Sequence, residues 1–260
     1  MPSLTLTESS RLARLAADRT RRALVARALR SPLFAWRYDR PAAEELLLVP
    51  QELRTADPSF AEELADGQLG LGGAVASIGS GSIFDVAAPS EAWSRSLHGF
   101  GWLRNLTAAG TLEDRALAEN ALVTWIDRYP PKSSSTAWQP DVIGRRLVSW
   151  LVNVPFIFER IDGPTYDKIT DSLGLQLAQL ATRWRDAPSG YPRLEALTGL
   201  LTGSLCIAGR DDTIAGFEQG LVAEIRHQIL PDGGHISRNT DVVVDLLLDL
   251  LPLRSCFNAR

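Results

Sequence analysis

Residues 193–230 read RLEALTGLLTGSLCIAGRDDTIAGFEQGLVAEIRHQIL, and the spacing of apolar residues in this stretch decides the fold class. Leucine, isoleucine and valine recur every three or four positions, which predicts two amphipathic helices separated by a short break containing Gly and Asp. The same spacing recurs in residues 165–186 and 241–254, again with short loops between the helices. A succession of helices without intervening strands predicts antiparallel helical hairpins and not a parallel sheet with crossover helices.

The segment from residue 41 to residue 88 has a different composition. It contains GQLGLGGAVASIGSGS at residues 67–82, which is rich in glycine and has short β-leaning runs. From residue 89 the helical pattern takes over and continues along the rest of the chain. The sequence therefore predicts a mainly α fold over residues 89–260, preceded by an irregular segment with a few short strands.

Residues 1–40 are strongly basic. Seven arginines face a single acid, Asp18, between residues 11 and 30, which predicts a basic amphipathic helix. Such a helix can pack on the domain as a solvated arm, or it can bind a membrane surface or another anionic partner. The sequence leaves both possibilities open.

The composition of the whole chain excludes several classes of protein. The 260 residues are 45% hydrophobic and 22% charged, as in globular proteins, and a net charge of −4 argues against a nucleic-acid partner. No apolar run is long enough for a transmembrane helix. Arginines interrupt every turn near the N-terminus, so no signal peptide is seen and a cytoplasmic location is the default expectation.

Aromatic and basic residues in the helical part are candidates for a binding site. His98 and Trp102 lie four residues apart beside two glycines, which permit either close helix packing or a sugar lying across the helix. Trp138 lies in a polar loop, where it can stack on a carbohydrate or anchor the loop. Arg145 and Arg193 can bind a carboxylate or sulfate, or they can form salt bridges with acids of neighbouring helices.

The stretch LPDGGHISRNT at residues 230–240 carries one of the three histidines of the chain. His235 is followed by Arg238 and Asn239, which could hold a sugar carboxylate at the mouth of a cleft. A structural explanation fits the same residues: Asp-Gly-Gly forms a turn, and Asn239 or Thr240 caps the next helix. The residues alone do not separate these two interpretations.

Five segments, taken in order, resemble the N-terminal helical part of the heparinase II/III-like polysaccharide lyase family. The last of them is the most specific, because an ILPDGGH turn is followed there by a leucine-patterned helix. The resemblance implies an incomplete (α/α) toroid of antiparallel helical hairpins at residues 89–260, with the C-terminal β-sandwich domain of the family missing from this chain. The segments are LLLVPQELRTADPS (46–59), SRSLHGFGWLRNL (94–106), TAWQPDVIGRRLVSWL (136–151), PRLEALTGLLTGSLCIAG (192–209) and EIRHQILPDGGHISRNTDVVVDLLLDLLPLR (224–254).

The resemblance also implies an activity. Members of this family cleave uronic-acid-containing polysaccharides by β-elimination, which needs a general base and a general acid. The family's Asn-His pair and tyrosine are replaced here by Pro192 and Arg193 and by residues 241–243, so we expect an incomplete catalytic set. No cofactor or metal site is implied in this chain, since the family's metal ligands would lie in the missing domain.

On this basis we predict an acidic polysaccharide as the partner. The alternative is a non-catalytic glycan-binding or structural helical module. The family-based alternative to a cytoplasmic location is the periplasm or cell envelope. We predict catalytic roles for His235 and Arg193, which would replace the family's usual groups, and substrate-binding roles for His98, Trp102, Trp138, Arg145, Arg238 and Asn239.

Overall fold

The computed structural model describes residues 46–79, 81–131, 135–209 and 211–260. The chain divides into two compact units, residues 1–40 and residues 41–260, and every feature described below belongs to the second unit. The basic helix predicted for residues 1–40 lies outside the described residues.

The described part of the chain is mainly helical, which confirms the predicted fold class. The finer description as an incomplete (α/α) toroid stays a prediction. Short 3-10 helices lie at Ile83–Asp85, Thr136–Trp138, Phe158–Arg160 and Trp184–Asp186. The remaining elements are α1 (Ser59–Ala65), β1 (Gln68–Leu71), β2 (Ala74–Ser77), α2 (Glu91–Gly99), α3 (Leu103–Ala109), α4 (Leu112–Arg128), α5 (Pro140–Val152), α6 (Val154–Ile157), α7 (Gly163–Arg183), α8 (Tyr191–Cys206), α9 (Asp211–Gln228) and α10 (Thr240–Ala259).

A two-glycine turn joins the antiparallel strands β1 and β2. Gly72 and Gly73 have positive φ angles of 56° and 79°, which a two-residue hairpin turn requires and glycine adopts without strain. A Cβ on Gly72 would also lie 2.7 Å from backbone atoms of Ala92 and Trp93 at the start of α2. Glycine at this position therefore serves both the turn and the close approach of the hairpin to α2.

Several helices begin at polar capping residues. The Ser90 side chain accepts a hydrogen bond from the Trp93 amide at the start of α2. Thr111 opens α4 with a reciprocal capping box, and the Asn239 side chain accepts from the Asp241 amide at the start of α10. Local sequence chemistry thus sets where these helices start.

The first stretch of the helical pattern that begins at residue 89 is interrupted at Phe100. This residue has a left-handed backbone conformation with φ 58°, so that α2 ends at Gly99 and α3 begins at Leu103. The ring of Phe100 is fully buried and packs on three tryptophans. That burial offsets the cost of a non-glycine residue in this conformation.

Helix α8 is central to the unit. Most of its side chains are buried, and it packs against α5, α7, α9 and α10. At its crossing with α5, a Cβ on Gly199 would lie 2.3 Å from the carbonyl oxygen of Gly144. This backbone-to-backbone approach brings the first turns of α8 beside the middle of α5, where the candidate site lies.

Candidate functional site: an arginine groove

A groove of about 820 Å³ opens between α2, α3, α5 and the beginnings of α8 and α10. Residues 52–55 and the β1–β2 turn complete its lining. Four arginines line it, Arg54, Arg95, Arg104 and Arg145, and we call it the arginine groove. Ligand pockets in proteins typically measure about 300–1,000 Å³, so its volume suits a ligand of several residues or a small molecule.

Arg145 is held by side chains from α8 and α10. Its Nη1 and Nη2 donate to the two carboxylate oxygens of Asp249 at 2.8 and 2.9 Å, and its Nε donates to Glu195 at 2.7 Å. Nη2 also donates to the Tyr191 hydroxyl at 2.8 Å, and this hydroxyl donates to Asp249 at 3.3 Å. Arg145 therefore ties α5 to both α8 and α10.

The charge states of this network follow from burial and pairing. Burial alone would lower the pKa of Arg145, but Glu195 and Asp249 raise this pKa overall. Burial raises the pKa of Glu195, and Arg145 offsets part of that rise. Burial also raises the pKa of Tyr191, so its hydroxyl is protonated at neutral pH and can donate to Asp249.

Arg54 and Arg95 are also paired with carboxylates. The Nη2 of Arg54 lies 2.8 Å from Asp249 and 4.0 Å from Asp245. Arg95 forms an ion pair with Asp141, which is almost fully buried at the start of α5. The charges of these two arginines are thus largely neutralised within the chain.

Arg104 differs from the other three arginines. Its Nε donates to the Thr55 carbonyl at 2.9 Å and its Nη1 to the Gly101 carbonyl, and it forms no ion pair with a described residue. Its Nη2 has no hydrogen-bond partner in the described ranges and remains accessible to solvent. The neighbouring Asn105 accepts from the Asp57 amide at 3.1 Å through Oδ1, which leaves its Nδ2 group without a described partner.

The surroundings of Arg104 disfavour its positive charge. Burial lowers the pKa of Arg104; Glu52 opposes this effect, whereas Arg54 and Arg145 add to it. A partly buried guanidinium without a carboxylate partner loses hydration free energy, and an anionic ligand would compensate for that loss.

The groove also has apolar walls. Leu71 of the hairpin, Val142 and Val148 of α5, and Leu248 of α10 line it together with Trp102. The arginine groove therefore combines apolar surface with Arg104, a cation that forms no ion pair with a described residue. This combination can bind a ligand that has one acidic group and apolar parts on either side of it.

Trp102 and Arg145 are the two sequence-predicted site residues that line the groove. His98 and Trp138 instead lie buried in the aromatic core. The His98 Nδ1 accepts from the Trp125 indole at 3.2 Å, and the Trp138 indole donates to a backbone carbonyl at 3.1 Å. The six predicted binding residues thus do not share one surface.

The aromatic core contains a buried cation beside His98. The Arg146 guanidinium lies 3.9 Å from the Trp125 ring centroid and donates to Gln176 and to the backbone carbonyls of His98 and Ala137. Burial lowers the pKa of Arg146. Burial, and after it the charge of Arg146, lowers the pKa of His98 to about 4, so His98 is neutral at pH 7.

Arg193 and His235, the predicted catalytic residues, are joined by a chain of hydrogen bonds outside the groove. Arg193 pairs with Glu224 at 3.1 Å, and the Gln228 amide donates to the other oxygen of Glu224 at 2.9 Å. The Ser237 amide donates to the Nδ1 of His235, so Nε2 carries the ring proton and donates to Gln228 at 3.0 Å. This chain fastens the start of α8 to the end of α9.

Arg238 and Asn239 lie on the exposed turn before α10. Arg238 pairs with Asp232 at 2.6 Å, and Asn239 caps α10. Asp232 also accepts from the Gly234 amide at 3.0 Å, and Gly233 has a φ of 81°. Turn geometry thus accounts for the Asp-Gly-Gly sequence without any ligand.

No role was predicted from sequence for Arg54, Arg104 or Asp249. Arg145 and Asp249 are 104 positions apart, and no local motif indicates their pairing. A signal for Asp249 was present, because an acid among the leucines of an apolar helix needs a buried partner. For Arg104, the signal is that it forms no ion pair with a described residue, and only the folded chain reveals this.

The described ranges contain neither a candidate metal-binding cluster nor a candidate membrane-spanning helix. There, no group of three His, Cys, Asp or Glu side chains is placed to hold a metal ion. Within those same ranges, no helix combines the length and apolar character needed to cross a membrane.

Comparison with known proteins finds a relative that is named for its localisation with FtsZ. The chain is 30% identical over 222 residues to FtsZ-localized protein C of Caulobacter vibrioides (strain NA1000 / CB15N). The match covers 85% of this chain and 38% of the relative, so the chain spans well under half of that relative's length. No protein-family model and no solved structure matches.

These findings overturn the resemblance to the heparinase II/III-like family. No family model supports it, and the relative is named for its localisation with FtsZ and not for a lyase activity. The predicted eliminative cleavage of uronic-acid polysaccharides is therefore wrong, and an acidic polysaccharide as partner has no support. The resemblance arose from the DGGH turn and the leucine-rich helices, both of which local folding explains.

Proposed function

We propose that this chain is a helical protein-binding module that joins the bacterial division assembly by binding FtsZ at the arginine groove. The observation that carries the proposal is the similarity to FtsZ-localized protein C, which extends over 85% of this chain. Because 222 of the 260 residues take part in the match, it must include most of the helical unit at residues 41–260. The proposal includes a cytoplasmic location, where FtsZ assembles.

The groove supports a binding role. Arg54, Arg95 and Arg145 are engaged with carboxylates, and the Tyr191 hydroxyl lies between Arg145 and Asp249. These groups stabilise the walls of the groove. Arg104 keeps donors available for a partner, next to apolar side chains that a partner segment can cover.

Localisation in cells tests the proposal. A fluorescent fusion of the chain, expressed in Caulobacter vibrioides beside labelled FtsZ, is expected to form a band that coincides with FtsZ. Arg104→Ala should weaken the band, whereas Arg226→Ala, which removes an exposed arginine of α9 outside the groove, should leave it unchanged. A diffuse signal from the wild-type fusion would contradict the division role, and an unaltered band with Arg104→Ala would contradict the assignment of the groove.

A further inference from the structure

We infer that the arginine groove binds a through-running peptide segment of the partner, and that Arg104 and Asn105 together hold a Glu or Asp side-chain carboxylate of that segment. This inference rests on the proposed function, and it adds the chemical class of the ligand and the residues that select it.

Charge complementarity identifies the ligand group. Arg104 is the groove arginine that forms no ion pair with a described residue, and its Nη2 reaches solvent. The Nε and Nη1 groups are fixed on the carbonyls of Thr55 and Gly101, so the guanidinium is held in one orientation before a ligand arrives. A carboxylate is the ligand group that a guanidinium binds best in such a position.

Asn105 lines the same groove and supplies a second donor. Its Oδ1 is occupied by the Asp57 amide, so its Nδ2 is the group that can face a ligand. An amide donor and a guanidinium donor on consecutive residues of α3 can share the two oxygens of one carboxylate. Asp141, Glu195 and Asp249 are already paired with arginines, so Glu52 and the half-exposed Asp245 are the groove acids that a cationic ligand group could meet.

The shape of the groove favours a segment that passes through over a chain terminus. The groove is open, and its apolar lining comes from Leu71 of β1, Val142 and Val148 of α5, and Leu248 of α10. Val142 and Val148 are six residues apart on α5, so they spread apolar surface over about 9 Å of that helix. Apolar side chains beside the acidic residue of a peptide segment therefore have surface to cover.

Glu52 is the competing group. It lines the same groove and favours the charged form of Arg104, yet it forms no ion pair with it. Its Oε1 accepts from the Arg54 amide at 2.8 Å, which holds it on its own loop. We expect Glu52→Gln to strengthen binding of an acidic segment, because it removes the nearest carboxylate that repels one.

A positional-scanning library tests the inference. The probe is a set of end-blocked hexapeptides with one fixed position, and binding to the full chain is measured by affinity selection and mass spectrometry. Wild type should enrich Glu or Asp over Gln at one internal position by about tenfold, the effect of one charge-assisted hydrogen bond. Arg104→Gln should abolish this preference, and Arg104→Glu should invert it towards Lys and Arg at the same position.

The outcomes separate the inference from the proposed function. Absence of acid selection by wild type, or its survival in Arg104→Gln, would overturn the carboxylate site, as would stronger enrichment of phosphoserine than of Glu. If Arg104→Glu fails to fold, Arg104→Gln still tests whether Arg104 holds the carboxylate. If the chain selects acidic peptides but does not localise with FtsZ, the carboxylate site stands and the division role is contradicted. If the chain localises with FtsZ but does not select acidic peptides, the division role stands and the carboxylate site is contradicted.

Discussion

Asp249→Asn perturbs the interaction on which the walls of the arginine groove depend. The Asp249 side chain is 3% exposed, and it receives hydrogen bonds or ion pairs from Arg145, Arg54 and Tyr191 at 2.8 to 3.3 Å. The amide keeps the shape of the side chain but removes its negative charge. Two guanidinium groups then lose their shared carboxylate, and Arg145 retains Glu195 as its carboxylate partner beside the Tyr191 hydroxyl.

The magnitude follows from the burial of these groups. Removing one partner of a buried ion pair costs about 3–5 kcal/mol. The side chains of Arg145 and Arg54 are 19% and 15% exposed, so solvent screens part of the loss and we expect about 3 kcal/mol. Since a denaturation slope in urea is roughly 3 kcal/mol per molar for a domain of this kind, the unfolding midpoint should fall by about 1 M.

The matched control lies one helical turn away. Asp245 is 48% exposed and lies 4.0 Å from Arg54, so Asp245→Asn should change the free energy of unfolding by less than about 1 kcal/mol. Urea titration of both variants, followed by circular dichroism, measures the two midpoints. Equal midpoints for the two variants would refute the reasoning that the buried carboxylate organises the groove.

Two further predictions concern the helix crossing and the aromatic core. Gly199→Ala should destabilise the fold by about 3 kcal/mol or more in the same urea assay, because the new methyl group meets backbone of α5 at 2.3 Å. Gly216→Ala, in open space on α9, should instead stabilise it by about 1 kcal/mol; equal effects would contradict the close crossing. Burial lowers the pKa of His98 in the folded state to about 4, whereas its pKa in the unfolded chain is about 6.5. The contribution of neutral His98 to the free energy of unfolding is therefore complete above pH 6.5. That contribution, on the order of 3 kcal/mol, should be lost as pH falls from about 6.5 to about 4. His98→Asn, which can still accept a hydrogen bond from Trp125, should flatten this part of the curve of stability against pH, and the control His227→Asn should not. Identical curves for wild type and His98→Asn would contradict the assignment of this pH dependence to His98.

Local features of the fold were predictable from sequence because their causes are local. Ser90, Thr111 and Asn239 stand directly before helical patterns in the sequence, and each caps the helix that follows. The run of helices after residue 89 follows from apolar spacing alone. The break at Phe100 was missed, because it depends on a buried ring packing on tryptophans far away in sequence.

The candidate site was much less accessible to sequence reasoning. The aromatic residues chosen for carbohydrate stacking include His98 and Trp138, whose burial in the core is decided by tertiary packing. Arg145 was identified with both alternatives open, and it forms salt bridges with the acids of neighbouring helices. Arg104 is a candidate binding residue because it forms no ion pair with a described residue. A pattern of residues in the sequence cannot show which arginine the fold leaves without such a pair.

The central claim is that this chain binds FtsZ through the arginine groove, and co-sedimentation with FtsZ filaments tests it most directly. Purified chain is mixed with Caulobacter vibrioides FtsZ polymerised by GTP, and the pelleted fraction is measured against FtsZ concentration, with GDP as the unpolymerised control. We predict that wild type and Arg226→Ala pellet with the filaments and that Arg104→Ala requires about tenfold more FtsZ for the same fraction. Wild-type chain that stays in the supernatant at every FtsZ concentration, or Arg104→Ala that pellets as wild type does, would contradict the claim.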